Sequence, residues 1–286
     1  GWIAQYLGDF GIEAHLLIGP EGDRVNLFAT IGPRDVPGLV LSGHMDVVPA
    51  QEPLWSADPF QLRLDGDKLL GRGTSDMKGF LAAALAIVRS LIALKPARPI
   101  HLAFSYDEEA GCRGVPHLLE ALPSLCALPV AAVIGEPSGL RPILAHKGKA
   151  AARVEVQGRS GHSSRPDLGL NAIYAMARVI AAAEGTAAKL SRGPLDPVFE
   201  PPCSTVQIGT VRGGDAVNII PESCIIEIEA RAIAGASPAA LLEPVREALE
   251  GLKTEGFGTS WQPIAGYPPL SLSADAPIAR LMTRVT

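Results

Sequence analysis

Apolar residues along this chain gather in short runs, and several runs in its first half end on glycine, proline or acidic residues. Residues 25–31 and 39–42 are β-rich runs separated by Gly-Pro punctuation, which predicts buried strands. Residues 77–94 are rich in Ala and Leu, hold no Pro and are long enough for a helix. A further strand is expected at 99–106, a short helix at 115–122 and a third buried strand at 130–134. Strands alternating with helices predict an α/β architecture with a largely parallel central sheet. In such sheets, functional groups collect at the carboxyl ends of the strands.

The pattern changes after about Lys147. Residues 151–157 alternate apolar with polar, 171–183 have helical spacing, 205–211 and 225–231 read as strands, and 238–252 as a helix. This β-α-β-β-α order with half-exposed strands predicts a small α+β domain with helices on one sheet face. The segment from Trp261 holds Pro263, Pro268 and Pro269, then opens a helix at 276–285. We therefore expect a first part of one domain over 1–147, a second domain over 148–258, and a segment returning to the first over 259–286. Residues 1–7 already have helical spacing, so the chain is expected to begin inside a helix with sequence missing ahead of it.

Composition narrows the class of protein. Hydrophobic residues make up 47% and charged residues 19% of 286 residues, which fits a globular protein with a sizeable interior. The formal charge of −5 and the lack of a basic run argue against nucleic acid as a partner. The longest apolar stretch, 80–94, is interrupted by Arg89 and is shorter than a bilayer span of roughly 20 residues. It reads as a buried helix, and no membrane partner is expected. The four cysteines are scattered without a CxxC, so free thiols in a reducing cytoplasm are expected.

Four clusters carry the candidate chemistry: Gly43-His44-Met45-Asp46, Gly73-Thr74-Ser75-Asp76, Asp107-Glu108-Glu109 and Gly135-Glu136-Pro137. All but the Asp76 cluster, which precedes a helix, follow a predicted strand. Ionised carboxylates beside buried strands need partners. Several carboxylates plus an imidazole at one spot form a site for a divalent metal, zinc foremost. In an extended segment His44 and Asp46 point to the same side, so Asp46 can hydrogen-bond the imidazole of a metal-binding His44. A strand-end histidine held in a local turn is the plainer reading. Asp76 is by default a helix N-cap, although the glycines around it permit the close approach a bridging carboxylate needs. Glu108 and Glu109 face opposite ways, so one can ligate while the other acts as a base; a solvated acidic loop is the alternative. Glu136 is harder to dismiss, because five apolar residues lead directly into it.

In order and interval, these clusters resemble the co-catalytic di-zinc amidohydrolases, a family that includes acetylornithine deacetylase, succinyl-diaminopimelate desuccinylase, aminoacylase and glutamate carboxypeptidase. The strings SGHMDVVP, LLGRGTSDMKGF, SYDEEAGCRG, IGEPSGLRP and AHKGK are most similar to acetylornithine deacetylase. The resemblance implies a zinc-exopeptidase-like α/β catalytic domain with a mixed, largely parallel sheet, plus an inserted α+β, ferredoxin-like lid and dimerisation domain. It implies two zinc ions, with cobalt as a possible substitute. His44 and Glu136 bind the first, Glu109 binds the second, and Asp76 bridges both. Asp46 orients His44, Glu108 is the general base, and the Asp76–Met77 peptide bond is cis. In the lid, His162 of Gly161-His162-Ser163-Ser164 stabilises the oxyanion in a partner subunit's site. Asn218 and Arg231 bind the substrate carboxylate. Without the resemblance His162 is a surface loop histidine, and Asn218 and Arg231 are strand-end residues paired locally. Cys112 reads as packing.

The implied reaction is hydrolysis of an N-acyl amino acid, N-acetyl-L-ornithine first, in arginine biosynthesis by a cytoplasmic homodimer. Succinyl-diaminopimelate, another N-acyl amino acid or a small peptide is the alternative substrate. A non-catalytic metal-binding dimerisation module is the alternative of a different class. One family feature is absent: a further histidine ligand near the C-terminus, since none follows His162. The expectation is a chain lacking the last part of its catalytic domain, which holds one zinc poorly and turns over little substrate.

Overall fold

The structure, a computed structural model, describes residues 1–286, the side chain of Glu52 excepted. The chain divides into two compact units, Gly1–Arg141 and Pro142–Thr286. In the first, α1 (Trp2–Gly8) precedes β1 (Ala14–Ile18), β2 (Val25–Ile31) and β3 (Leu39–His44). A small hairpin of β4 (Arg63–Asp65) and β5 (Lys68–Leu70) follows. Next come a π-type turn at Thr74–Lys78, α2 (Gly79–Ala86), α3 (Val88–Leu94), β6 (Ile100–Ser105), α4 (Gly114–Leu125) and β7 (Ala131–Ile134).

The sheet order is β1-β2-β6-β3-β7. Pairing is antiparallel on both sides of β2 and parallel through β6, β3 and β7, so β2 alone opposes the other strands. The sheet is therefore mixed and largely parallel, as expected. Strand alternation sends successive side chains to opposite faces. Leu27, Ala29, Ile31, Leu102 and Phe104 pack with Leu81, Leu85 and Val88 of the α2–α3 layer. Phe28, Val40 and Ala103 pack on the other face with Leu118 of α4. Each large side chain buried this way contributes about 1.5–3 kcal/mol.

The helix expected over 77–94 forms, but it is divided at Ile87 and is not simply buried. Leu81, Ala84, Leu85 and Val88 face the sheet, whereas Ile87, Ile92 and Leu94 are exposed. With its preceding turn the segment Thr74–Leu94 reaches 21 residues, long and apolar enough by length and composition to cross a membrane. This corrects the reading of 80–94 as a short, buried run: only one stripe of an all-round apolar helix meets the sheet.

The second unit contains β8 (Ala145–His146), β9 (Gly148–Gln157), β10 (Gly161–His162), α5 (Ala172–Leu190), β11 (Thr205–Gly213) and β12 (Ile219–Ile220). It continues through β13 (Ser223–Ala232), α6 (Pro238–Leu241), α7 (Glu243–Gly251), β14 (Gly258–Tyr267), β15 (Leu270–Ser271) and α8 (Pro277–Val285). The main sheet is antiparallel, in the order β11-β13-β9-β14. Val154, Val156, Ile226 and Ile228 pack against Met176 and Val179 of α5 and Val245 and Leu249 of α7. The long elements thus follow a β-α-β-β-α-β order with helices on one face.

Two expected boundaries move. The units separate at Arg141/Pro142, a few residues before Lys147. The stretch from 259, expected to leave this domain, instead supplies its edge strand β14, paired with β9 along its length. Pro263 hid that strand; an edge position with a register shift between Pro263 and Ala265 accommodates a residue that cannot donate.

Candidate metal centre

Three neighbouring parallel strands bring the candidate site together. β3 ends on His44, β6 runs into the loop bearing Glu108 and Glu109, and β7 leads into Glu136. Asp76 arrives from the turn before α2, and the Asp76–Met77 bond is cis. Gly43 leaves room beside His44 for the methyl of buried Met77, which a Cβ there would meet at 2.6 Å and displace. The same Met77 offers its Sδ to the His44 backbone N–H at 3.3 Å.

His44 is 2% exposed. Its Nδ1 lies 3.0 Å from the backbone carbonyl of Asp46, which can only accept, so Nδ1 carries a hydrogen. Its Nε2 faces Asp76 Oδ1 at 3.0 Å and Glu136 Oε1 at 3.9 Å. Burial alone would lower the His44 pKa; the hydrogen bond to Asp76 and the charges of Asp46, Glu108 and Glu136 outweigh it, and the pKa is raised. Nε2 thus points at carboxylate oxygens, at the place where a metal ion would sit.

The carboxylates crowd this nitrogen. Single ligand atoms of His44, Asp76 and Glu109 lie within 4.8 Å of one another, as do those of His44, Glu108 and Glu136. Burial, then the charges of neighbouring acids, push Glu109 and Glu136 above the usual carboxylate range. Among the described residues, His44 is the sole basic side chain within ion-pair distance of Asp46, Asp76 or Glu136. One imidazole and a set of hard oxygens without a Lys or Arg counter-ion fit a divalent cation. His44 with Asp76 and Glu109, or His44 with Glu108 and Glu136, are the groups that would hold it.

Asp46 acts differently from the expectation. Its backbone carbonyl, not its side chain, makes the hydrogen bond to His44; the carboxylate lies 3.4 Å from Nδ1. Its two oxygens accept the backbone N–H groups of Glu108 and Glu109, each at 3.1 Å. Asp46 thus ties the acidic loop to the end of β3. Cys112 donates its thiol to Glu108 Oε1 at 3.5 Å. Burial, then the Glu108 charge, push that thiol up to about 11, which suits packing rather than nucleophilic chemistry.

The remaining expected residues lie in the second unit. His162 and Asn218 are neighbours there: β10 pairs His162 with Ile219, and the Ser163 N–H donates to the Asn218 carbonyl at 3.0 Å. The Ser164 N–H donates to His162 Nδ1, so neutral His162 carries its hydrogen on Nε2. Arg231 is held by its own strand. Its Nε and Nη2 donate to Glu229 and its Nη1 donates to the Tyr267 hydroxyl. The locally paired alternative for Arg231 is what the side chains form. All four cysteines are free thiols.

Comparison with known proteins follows the same lines. The model of peptidase family M20/M25/M40 matches residues 40–283. An acetylornithine deacetylase from Photorhabdus laumondii is 37% identical over 271 residues, covering 93% of this chain and 69% of the relative. One from Aliivibrio salmonicida is 33% identical over 288 residues, covering 99% and 74%. Among solved structures, an M20 family metallo-carboxypeptidase from Sulfolobus solfataricus superposes with a TM-score of 0.74 at 18% identity, over 98% of this chain and 75% of that one. A tripeptidase from Staphylococcus aureus gives 0.71 at 20% identity, over 99% and 74%. At these identities the solved structures speak for the fold alone.

Proposed function

The chain belongs to peptidase family M20/M25/M40, and we propose that it hydrolyses the amide bond of an N-acyl amino acid, N-acetyl-L-ornithine first, with two zinc ions. It is an amidohydrolase by family. The observation that carries the metal reading is the buried Nε2 of His44, turned toward Asp76 and Glu136 with no other basic partner. The substrate reading rests on relatives named for acetylornithine deacetylation.

When bound, two zinc ions would polarise the scissile carbonyl and lower the pKa of water. The chain's own groups do the rest. His44, Asp76, Glu109 and Glu136 hold the ions, and the Asp46 carbonyl fixes the His44 tautomer. Glu108 takes a proton from the attacking water and returns it to the departing amine. His162 donates from Nε2 to the oxyanion in a partner subunit's site, and Asn218 with the free N–H groups of Arg231 receives the substrate carboxylate.

The second unit is proposed as lid and dimerisation domain of a cytoplasmic enzyme. β11 is an edge strand with open backbone groups, and Tyr174, Val211 and Val217 are exposed on the same unit. Sedimentation should give a dimer; a monomer at all concentrations removes this part. Arginine biosynthesis is the pathway consistent with the proposed substrate.

The deciding experiment measures metal content and hydrolysis together. Bound zinc with preferred turnover of N-acetyl-L-ornithine supports the proposal. Preference for succinyl-diaminopimelate or a dipeptide moves the substrate while keeping the enzyme, and no metal uptake favours a non-catalytic dimerisation module.

A further inference from the structure

We propose that Asn26 is a positioning residue for the loop that carries Glu108 and Glu109. It sits on β2, is fully buried, and directs its side-chain hydrogen bonds to backbone groups rather than to the candidate ligands. Its Oδ1 accepts the Tyr106 N–H at 3.2 Å, and its Nδ2 donates to the Gly114 carbonyl at 2.8 Å. Those are the first residue after β6 and the first residue of α4, the two ends of the acidic loop. Because Tyr106 N–H can only donate and the Gly114 carbonyl can only accept, the amide orientation is fixed by its partners.

The clamp is tight. The Gly114 N–H closes the loop onto the Tyr106 carbonyl at 3.2 Å, and a Cβ at residue 114 would lie 2.6 Å from Asn26 Oδ1 and 2.6 Å from that carbonyl. Only glycine fits that junction. Asp46 grips the crown of the same loop through the N–H groups of Glu108 and Glu109. The loop is therefore pinned at its base by an amide and at its crown by a carboxylate. Between the two, Asp107 and Cys112 hold left-handed backbone, at φ 50° and 57°. Side chains without glycine's freedom adopt such angles only where the surroundings determine them. Asn26 supplies that determination from the far end of the loop.

The functional part of this inference rests on the roles proposed for Glu108 and Glu109. The test uses Asn26→Asp and Asn26→Ala in the purified protein, with Val88→Ala as a variant destabilised outside the loop. Cys112 lies within the loop and reports its order without any metal, through its alkylation rate followed by peptide mass spectrometry. Asn26→Ala should raise that rate at least tenfold, and Val88→Ala should not. Asn26→Asp keeps the acceptor but loses the donor when ionised. Its rate relative to wild type should fall back toward one as pH is lowered and the carboxyl regains a hydrogen.

Zinc competition with a chromophoric chelator should show at least tenfold weaker binding in Asn26→Ala, and kcat should fall with KM little changed. An unchanged Cys112 rate in folded Asn26→Ala overturns the proposal, as does equal exposure in Val88→Ala. If wild type takes up no zinc, the metal reading fails, and the Cys112 rates still decide whether Asn26 holds the loop. Should Asn26→Ala not fold, the pH-dependent recovery of Asn26→Asp decides, and its absence counts against the clamp.

Discussion

The two units treat clustered negative charge in opposite ways. In the second, Glu229 is enclosed by Arg231 and Lys149; burial pushes its pKa up, but their hydrogen bonds hold it below the usual range. In the first, Glu109 and Glu136 stand with other acids around one imidazole and are pushed above that range. A satisfied acid stabilises local structure and has no capacity left for a ligand. An unsatisfied cluster costs stability and keeps its lone pairs available for a cation. The difference separates acids left open to a cation from acids already paired, without reference to their neighbours in sequence.

Several experiments can break or sharpen this contrast. The largest effect is expected from Glu108→Ala, which should lower kcat about 10²–10⁴-fold while zinc uptake stays intact. Survival of activity would remove Glu108 from the role of base. Next in size are two charge deletions with opposite signs in the metal-free protein, read from urea midpoints. Glu229→Gln leaves Arg231 and Lys149 without their shared partner and should cost about 1 kcal/mol, the modest figure for a partly exposed pair. Glu136→Gln relieves crowding and should stabilise by up to about 1 kcal/mol while weakening zinc binding. Equal signs would end the comparison.

The smallest expected effect concerns His101, which is fully buried in β6 beside Thr30 and whose pKa burial lowers. Its unfolded form binds a proton near pH 6.5 while the folded form does not, so stability falls as pH drops below about 6.5. Raised carboxylates act in the reverse sense: the folded state gains protons first, so metal-free stability recovers as pH falls through their range. His101→Phe should flatten the first slope and leave the second. If the slope near pH 6 persists unchanged, another group causes it.

Much of this was legible in the residues. β3, β6 and β7 announce themselves because an apolar run can stop on an acid only where the strand reaches a polar edge, and the adjacency of those strands turns three separate stops into one site. The order of His44, Asp76, Glu109 and Glu136 carried the family. Other parts were hidden for physical reasons. β1 mixes His15 with exposed Leu16 and Ile18 and shows no clean alternation. β14 contains a proline that only its edge position excuses. The β4–β5 hairpin has only three residues per strand, too few to show alternation, and Asp65-Gly66-Asp67 is its one turn signal. Asp46 meets His44 through its backbone carbonyl, and a backbone carbonyl leaves no mark on residue choice. Asn26 read as one polar residue within a strand, since its partners are backbone groups eighty or more positions away.

The proline in β14 has a consequence for how many copies can meet. The main sheet of the second unit has two borders, β11 and β14. At β14, Pro263 has no N–H to donate, and the pairing with β9 shifts register between Pro263 and Ala265. β11 has a register shift of its own, between Ile208 and Thr210, but holds no proline. A sheet with one usable border can join one neighbour, and a two-fold pair then presents two stopped borders outward. A pair formed through β11 would therefore offer a third copy only borders that lack a donor.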